Sequence, residues 1–174
     1  YSIINKESGD EHMKKLLVLS DSHGNIDNMV FAVKKTAPDM IIHLGDCWSD
    51  AVGLAEEFPE IPMGHVPGNC DFSMEETEKI LEIEGQRILI CHGHTYNVKS
   101  NYLTLEYAAH EKNVTIALFG HTHKVFYDKH NGLLLMNPGS IGAPGWGTPP
   151  SYGILELDEE QGIADMNIFY IEKN

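Results

Sequence analysis

Short apolar runs alternate with amphipathic segments along the first third of the chain. Three of these runs predict buried strands, at 15–19, 40–44 and 63–66. From 26 to 37 the apolar residues recur every three or four positions, which predicts a helix that Asn25 caps and Pro38 ends. A second helix is expected from a cap at Ser49 to about Phe58. This alternation of strands and helices predicts right-handed crossovers and a largely parallel sheet.

The second half of the chain has more strands and fewer helices. Its apolar runs predict seven strands, at 80–83, 88–91, 115–119, 124–128, 133–136, 152–157 and 165–171. The residues EGQ at 84–86 and Asn-Gly at 131–132 are expected to be hairpin turns, and 100–112 a helix. The pattern therefore predicts one α/β domain with a parallel half and an antiparallel half.

The chain length suits a single domain, which we place at residues 13–174. Residues 1–12 precede Met13 and are interpreted as a leader or an added segment outside the core. They lack the basic-then-apolar order of a signal peptide, and a genuine N-terminal extension remains an alternative.

The composition narrows the classes of partner. The net charge of −14, from 12 basic and 26 acidic residues, argues against long nucleic acids and anionic membranes. A phosphate substrate stays open, because bound cations can invert a local field. Three cysteines without a disulfide pattern predict a reduced, cytoplasmic protein. The sequence contains no run of 18 apolar residues, so no transmembrane helix is expected.

Five polar clusters each follow an apolar, strand-like run. They are SDSHGN at 20–25, LGDCWSD at 44–50, PGNCD at 67–71, CHGH at 91–94 and GHTH at 120–123. In an open α/β sheet, ligands bind just beyond the carboxyl ends of the strands, so five such ends can meet in one crevice.

The residue types in these clusters favour a metal site. Three pairs are spaced by two residues, namely Asp21 with His23, His92 with His94, and His121 with His123. In an extended chain, residues i and i+2 point to the same side, so each pair is expected to present two ligands together. Oxygen and nitrogen donors suit Mn²⁺, Fe, Zn²⁺, Co²⁺ or Ni²⁺. Each motif by itself is common in ordinary loops, but five in this order predict a metal centre.

The ordered set D-x-H, G-D, G-N, H and G-H-x-H resembles the signature of the calcineurin-like metallophosphoesterases. The stretches LLVLSDSHGN, IIHLGDC, VPGNCD, ILICHGHTYNV and LFGHTH are similar to the small YfcE-like bacterial and archaeal phosphodiesterases. The resemblance covers about residues 14–172. It implies a four-layer α/β/β/α sandwich of two mixed β-sheets flanked by helices, an α/β fold that some schemes call α+β.

The resemblance also implies two divalent cations per chain, Mn²⁺ before Fe, Ni²⁺, Co²⁺ or Zn²⁺. Asp21, His23 and His123 would bind one metal, Asn69, His92 and His121 the other, and Asp46 would bridge the two. A hydroxide that bridges the metals would attack phosphorus in line, and Asn69 would balance charge on the phosphoryl oxygens.

Two positions depart from the family pattern. Cys70 stands where many members have a histidine credited as general acid. Either His94 or water is therefore expected to protonate the leaving group, or the enzyme is expected to favour good leaving groups. Cys70 is interpreted first as a packed small residue and second as a substrate contact. Asp71 is expected to orient Asn69 or one of the histidines. Gly145 replaces a phosphate-binding arginine, which makes Trp146 a candidate for stacking on substrate, with packing on the body or a neighbouring subunit as an equal alternative.

Two further polar residues have structural interpretations. His43 lies inside an apolar run and is interpreted as a satisfied core residue rather than a ligand. Asp50 is interpreted as a carboxylate favoured by the N-terminus of the second helix, with orientation of a metal ligand as the alternative.

The sequence therefore predicts a metal-dependent phosphoesterase that hydrolyses small phosphodiesters. One alternative is a non-catalytic protein-binding scaffold, since the retromer contains a subunit of this fold that has lost metal histidines. Another is a phosphomonoesterase or a cyclic-nucleotide phosphodiesterase, because the metal centre is shared. Relatives form dimers or tetramers, and the sequence leaves homodimer and homotetramer open.

Overall fold

The computed structural model describes residues 13–172, so the interpretation of residues 1–12 lies outside the described residues. The strands are β1 Lys14–Leu19, β2 Met40–His43, β3 Met63–His65, β4 Glu78–Ile83, β5 Gln86–Cys91, β6 Ile116–Leu118, β7 Val125–His130, β8 Leu133–Pro138, β9 Ser151–Asp158 and β10 Gly162–Tyr170. The helices are α1 Ile26–Thr36, α2 Trp48–Glu57 and α3 Leu103–Glu111. None of the helices within 13–172 is long and apolar enough to cross a membrane.

The strands form two five-stranded sheets, in the orders β10-β9-β1-β2-β3 and β4-β5-β6-β8-β7. The neighbours β1, β2 and β3 are parallel, as are β5, β6 and β8, whereas β9, β10, β4 and β7 pair antiparallel. Both sheets are therefore mixed, and the prediction of one parallel and one antiparallel half is wrong. In the first sheet, β9 returns to pair antiparallel with β1, which places Leu16 opposite Leu155. In the second sheet, β5, β6 and β8 pair in parallel.

The two sheets pack face to face, with helices on their outer faces. The inner core contains Leu16, Val18, Ile42, Leu44 and Val66 from the first sheet and its connections, and Ile88, Ile90, Ile116, Leu118, Leu134 and Met136 from the second. Met29 of α1 and Leu54 of α2 pack on the outside of the first sheet, and Leu105 of α3 on the outside of the second. Each fully buried Leu or Ile side chain contributes about 1.5–3 kcal/mol. The four-layer α/β/β/α sandwich is confirmed.

The predicted helix ends are partly right. Asn25 caps α1 by accepting a hydrogen bond from the backbone N of Asn28 at 3.1 Å. Ser49 does not cap α2, because the helix already begins at Trp48 and its N-cap is Cys47 in a left-handed conformation with φ 76°. α3 is shorter than the predicted 100–112. The Asn131-Gly132 turn joins β7 to β8 as predicted, with φ values of 49° and 77°.

The topology brings the five polar clusters to one end of the sandwich. Clusters 20–25, 44–50 and 67–71 follow the parallel strands β1, β2 and β3, and clusters 91–94 and 120–123 follow β5 and β6. The carboxyl ends of parallel strands meet at one sheet edge. The two edges also touch, because His92 Nδ1 lies 2.7 Å from the carbonyl O of Leu44.

Candidate metal centre

Six side chains converge in two groups at this end of the sandwich. One group contains Asp21, His23, Asp46 and His123, and the other contains Asp46, His92 and His121. Within each group, one potential ligand atom per residue lies within 4.8 Å of the others. Asp46 belongs to both groups, so its carboxylate lies between two potential metal positions.

The distances show which atoms face each other. His123 Nε2 is 3.0 Å from Asp21 Oδ1 and 3.4 Å from His23 Nε2. Asp46 directs Oδ2 toward His23 Nε2 at 3.7 Å and Oδ1 toward His92 Nε2 at 3.4 Å. The two oxygens of Asp46 therefore face different groups, as a bridging ligand requires.

The backbone reaches this arrangement by a route that the spacing argument missed. Asp21, His23, Asp46, His121 and His123 all have left-handed φ values, between 44° and 68°. These residues are not extended, so the physical reason given for the pairs is wrong, although Asp21 and His23 do lie in the same group. His121 and His123 instead fall into different groups. A left-handed backbone costs a non-glycine residue roughly 1–2 kcal/mol, which other contacts must offset.

Two of the candidate ligand histidines are held through their Nδ1 atoms. His92 Nδ1 donates to the carbonyl O of Leu44 at 2.7 Å, and His123 Nδ1 donates to the carbonyl O of Ala143 at 2.6 Å. With the proton on Nδ1, each Nε2 carries a lone pair toward the centre. A second hydrogen bond of this kind is usual for metal-binding histidines.

The donor atoms of the centre fit a bound cation. Asp21 Oδ2 accepts hydrogen bonds from Ser20 Oγ at 2.5 Å and from the backbone N of His121 at 3.1 Å. Asp21 Oδ1 and His92 Nε2 are buried polar atoms that have no hydrogen-bond partner among the described residues. Acceptor atoms packed against one another are stable only with protons or a cation between them. Carboxylate and imidazole donors suit divalent transition metals.

When no cation is bound, the carboxylates and imidazoles of the centre compete for protons. The close contact with the Asp21 carboxylate raises the pKa of His123. Burial acts to lower the pKa of His92, but the nearby carboxylates of Asp46 and Asp21 raise it overall. Burial acts to raise the pKa of Asp21 and Asp46, but the neighbouring histidines lower it overall. Burial and the charge of His92 lower the pKa of His121 to about 4. A cation would displace these protons, so binding should weaken in acid.

Two glycines allow the loops to approach the ligand carboxylates. A Cβ on Gly120 would lie 1.9 Å from Ser20 Oγ and 2.8 Å from Asp21 Oδ2. A Cβ on Gly68 would lie 2.1 Å from Asp46 Oδ1. No side chain fits at either position without displacing a ligand, which explains the glycine in the G-N and G-H-x-H motifs.

We call residues 20–25 the Asp-x-His loop and residues 44–48 the Gly-Asp loop. Among the described residues, the Asp71 carboxylate forms no hydrogen bond with Asn69 or with a histidine, so the expectation that it orients one of them is wrong. Its carboxylate instead accepts hydrogen bonds from the backbone N of Asp46, Cys47, Trp48 and Gly68 at 2.7–3.1 Å. Asp71 thus holds the Gly-Asp loop and, through its backbone, Asp46. Asp50, which lies in the first turn of α2, accepts from Gly24 N at 2.7 Å and anchors the Asp-x-His loop.

The remaining predicted site residues lie at the rim. Asn69 is exposed between Gly68 and Cys70, and Cys70 N donates to Asp46 Oδ1 at 3.0 Å. Cys70 is also exposed, so its interpretation as a packed small residue is wrong. The His94 ring lies 5.5 Å from the His92 ring, and burial together with the charge of His92 lowers its pKa.

Trp146 is fully exposed, at 104% of its reference area. Its packing on the body of the protein is therefore excluded, whereas stacking on substrate and contact with a neighbouring subunit stay predictions. His43 is completely buried and forms a hydrogen bond with Ser22, which confirms its interpretation as a satisfied core residue.

Sequence reasoning missed the side chains that support the centre. Ser20 Oγ donates to the carboxylate of Asp21, and Ser22 Oγ donates to the backbone carbonyl O of Asp46. Neither serine matched a ligand pattern. Their only signal was their position inside SDSHGN.

Comparison with known proteins agrees with this geometry. The family model described as the calcineurin-like phosphoesterase superfamily domain matches residues 13–160. The probable metallophosphoesterase YsnB of Bacillus subtilis is 34% identical over 148 residues, covering 83% of this chain and 85% of that protein. The phosphodiesterase YfcE of Escherichia coli K12 is 25% identical, covering 87% of this chain and 92% of that protein.

A solved structure shares the fold. Vacuolar protein sorting 29 from Cryptosporidium parvum superposes with a TM-score of 0.71 at 18% identity, covering 91% of this chain and 99% of that one. At this identity the likeness concerns the fold alone. The family match and the 34% identical relative go further, and they agree with the ordered ligand motifs. The chain belongs to the calcineurin-like phosphoesterase superfamily.

Proposed function

We propose that the protein is a dinuclear, metal-dependent phosphoesterase that hydrolyses small phosphodiesters. The observation that carries the proposal is the carboxylate of Asp46, whose two oxygens face two separate groups of donors. The names of the relatives support the reaction class, since YfcE is called a phosphodiesterase. We infer Mn²⁺ as the metal, with Fe, Ni²⁺, Co²⁺ and Zn²⁺ as alternatives for the same donor set.

The residues of the chain have separate roles in this proposal. Asp21, His23 and His123 would hold one cation, Asn69, His92 and His121 the other, and Asp46 both. When bound, the two cations supply charge that stabilises phosphoryl oxygens and makes a nearby water more acidic. The Nδ1 hydrogen bonds of His92 and His123 keep both rings aimed at the centre.

Substrate contacts come from residues at the rim. The Asn69 amide is exposed and can donate to a phosphoryl oxygen, since within residues 13–172 its Nδ2 has only a long 3.5 Å contact with Cys70 Sγ. Desolvation and the neighbouring carboxylates of Asp46 and Asp71 raise the pKa of Cys70, so its thiol stays protonated and is a poor replacement for a histidine acid. His94 remains the candidate to protonate the leaving group, since its buried Nδ1 has no partner among the described residues.

The direct test is hydrolysis of bis-p-nitrophenyl phosphate by protein loaded with Mn²⁺. We expect turnover in the wild type and at least a hundredfold loss in Asp46→Asn, because both cations lose a ligand. Asp165→Asn, on an exposed part of β10, is the matched control and should retain activity. The absence of turnover with every divalent metal would reject the proposal.

A leaving-group comparison tests His94. His94→Asn should reduce hydrolysis of an alkyl phosphodiester far more than hydrolysis of a p-nitrophenyl ester, which needs no proton. Equal losses for both substrates would remove His94 from this role. A panel of phosphomonoesters and cyclic nucleotides run beside the diesters would decide between the remaining enzyme alternatives.

A non-catalytic scaffold is the second candidate, favoured by the fold shared with vacuolar protein sorting 29. Against it, this chain retains all seven predicted ligand residues. Metal analysis after reconstitution separates the two candidates. Fewer than one metal per chain would favour the scaffold, and two per chain the enzyme.

A further inference from the structure

His43, at the end of β2, lies beneath the centre and contacts both of its carboxylate-bearing loops. We propose that His43 is a positioning residue that ties the Asp-x-His loop to the Gly-Asp loop and thereby sets the affinity of the centre for divalent cations. The inference rests on the metal binding in the proposed function and is independent of the substrate.

The hydrogen bonds of His43 form a chain with a defined direction. The backbone N–H of Gly45 donates to His43 Nδ1 at 3.3 Å, which places the ring proton on Nε2. His43 Nε2 then donates to Ser22 Oγ at 3.1 Å. Ser22 Oγ in turn donates to the carbonyl O of Asp46 at 3.3 Å. The chain begins and ends in the Gly-Asp loop and passes through the Asp-x-His loop.

Water cannot replace this link. His43 and Ser22 are both completely buried. A buried donor or acceptor that loses its partner costs the full desolvation penalty of the group, which exceeds the net contribution of the hydrogen bond. Removing the imidazole would therefore leave Ser22 and Gly45 to find new partners by shifting their loops.

Such a shift would reach the ligands directly. Ser22 lies between Asp21 and His23, which have φ values of 54° and 44°, and Asp46 has φ 58°. Strained backbone of this kind persists only where surrounding contacts over-determine it. The hydrogen-bond chain through His43 passes through Ser22, between Asp21 and His23, and reaches Gly45 N and Asp46 O, so it links the backbone segments that carry the Asp21 and Asp46 carboxylates.

The test is titration of the purified, chelator-stripped full-length protein with Mn²⁺ in a calorimeter. His43→Leu should weaken Mn²⁺ binding about tenfold or more, as the loss of supporting hydrogen bonds does in other metal sites. His43→Gln keeps a donor at the position of Nε2 and should stay within about threefold of the wild type. Ile42→Val, a fully buried change in the same strand whose side chain packs in the inner core, is the control and should not alter affinity.

A second variant guards against misfolding of His43→Leu. Ser22→Ala breaks the same link with little change in volume and should weaken Mn²⁺ binding to a similar degree. The double variant should be no weaker than the worse single variant, because both changes remove one connection.

The outcomes separate this inference from the proposed function. Unchanged Mn²⁺ affinity in Ser22→Ala and in a folded His43→Leu would overturn the inference alone. A wild type that binds no divalent cation would overturn the proposed function and this inference with it. Failure of His43→Gln to recover affinity would show that ring volume, rather than the hydrogen-bond chain, is what matters.

Discussion

Replacing Asp71 by asparagine tests how the Gly-Asp loop is held in place. Oδ1 of Asp71 accepts from the backbone N of Cys47 at 3.0 Å and of Trp48 at 2.8 Å, and Oδ2 accepts from Asp46 at 3.1 Å and Gly68 at 2.7 Å. Asparagine keeps one oxygen and turns an NH₂ group toward the other two donors. Since a hydrogen bond to a charged group contributes about 1.5–3 kcal/mol, the loss of two should lower the free energy of unfolding by about 3 kcal/mol.

Urea unfolding monitored by circular dichroism measures this change. In a chain of this size 3 kcal/mol corresponds to a drop in melting temperature of roughly 6–12 °C. Asp158→Asn is a matched control, because Asp158 Oδ1 alone accepts from Glu160 N at 2.9 Å and Gln161 N at 2.7 Å. Asparagine retains that oxygen, so the control should change stability by less than about 0.5 kcal/mol. A similarly small effect in Asp71→Asn would refute the assignment of Asp71 as the anchor of the loop.

Three further changes test other parts of the molecule. Asp21→Ala should reduce bound Mn²⁺ from two per chain to one by mass spectrometry of the metal, and two retained ions would contradict its place in the first group. Burial lowers the pKa of His43 from 6.5 to about 4, so the stability contributed by its neutral ring is present above pH 6.5 and is lost as the pH falls toward 4. Over that interval, metal-free wild type should lose roughly 2–3 kcal/mol more than His43→Gln in urea titrations, whereas parallel curves would show that His43 does not titrate in this way. Trp146→Ala should leave the free energy of unfolding within about 0.5 kcal/mol, because the side chain is fully exposed, and a loss above about 1 kcal/mol would indicate packing in solution.

Local patterns along the chain were enough to find most elements and the chemistry of the site. The helix that begins after Asn25, the hairpin at 131–132 and the runs that became β1, β2 and β5 all depend on neighbouring residues. The polar clusters were recognisable because their residue types are unusual directly after apolar strands. These signals depend on residues that are close together in the chain, so a single sequence is enough to detect them.

Local patterns do not predict which strands pair when those strands are far apart in the chain. β9 joins β1 more than a hundred residues upstream, and this pairing makes the first sheet mixed. The start of α2 was misplaced for a related reason. Cys47 adopts a left-handed conformation that Asp71 stabilises from a later loop, and no local pattern contains that contact.

The sequence by itself determined which residue types gather at the carboxyl ends of the strands, and with them a centre of carboxylates, an amide and histidines. The family resemblance had already assigned His121 and His123 to different metals and Asp46 to both, and only the tertiary structure showed which oxygen of Asp46 faces which group. It also assigned Asp71 to the backbone of the Gly-Asp loop and His43 to the contact between two loops. The physical reason is that ligand direction depends on left-handed backbone angles, and contacts between residues far apart in the chain hold those angles in place.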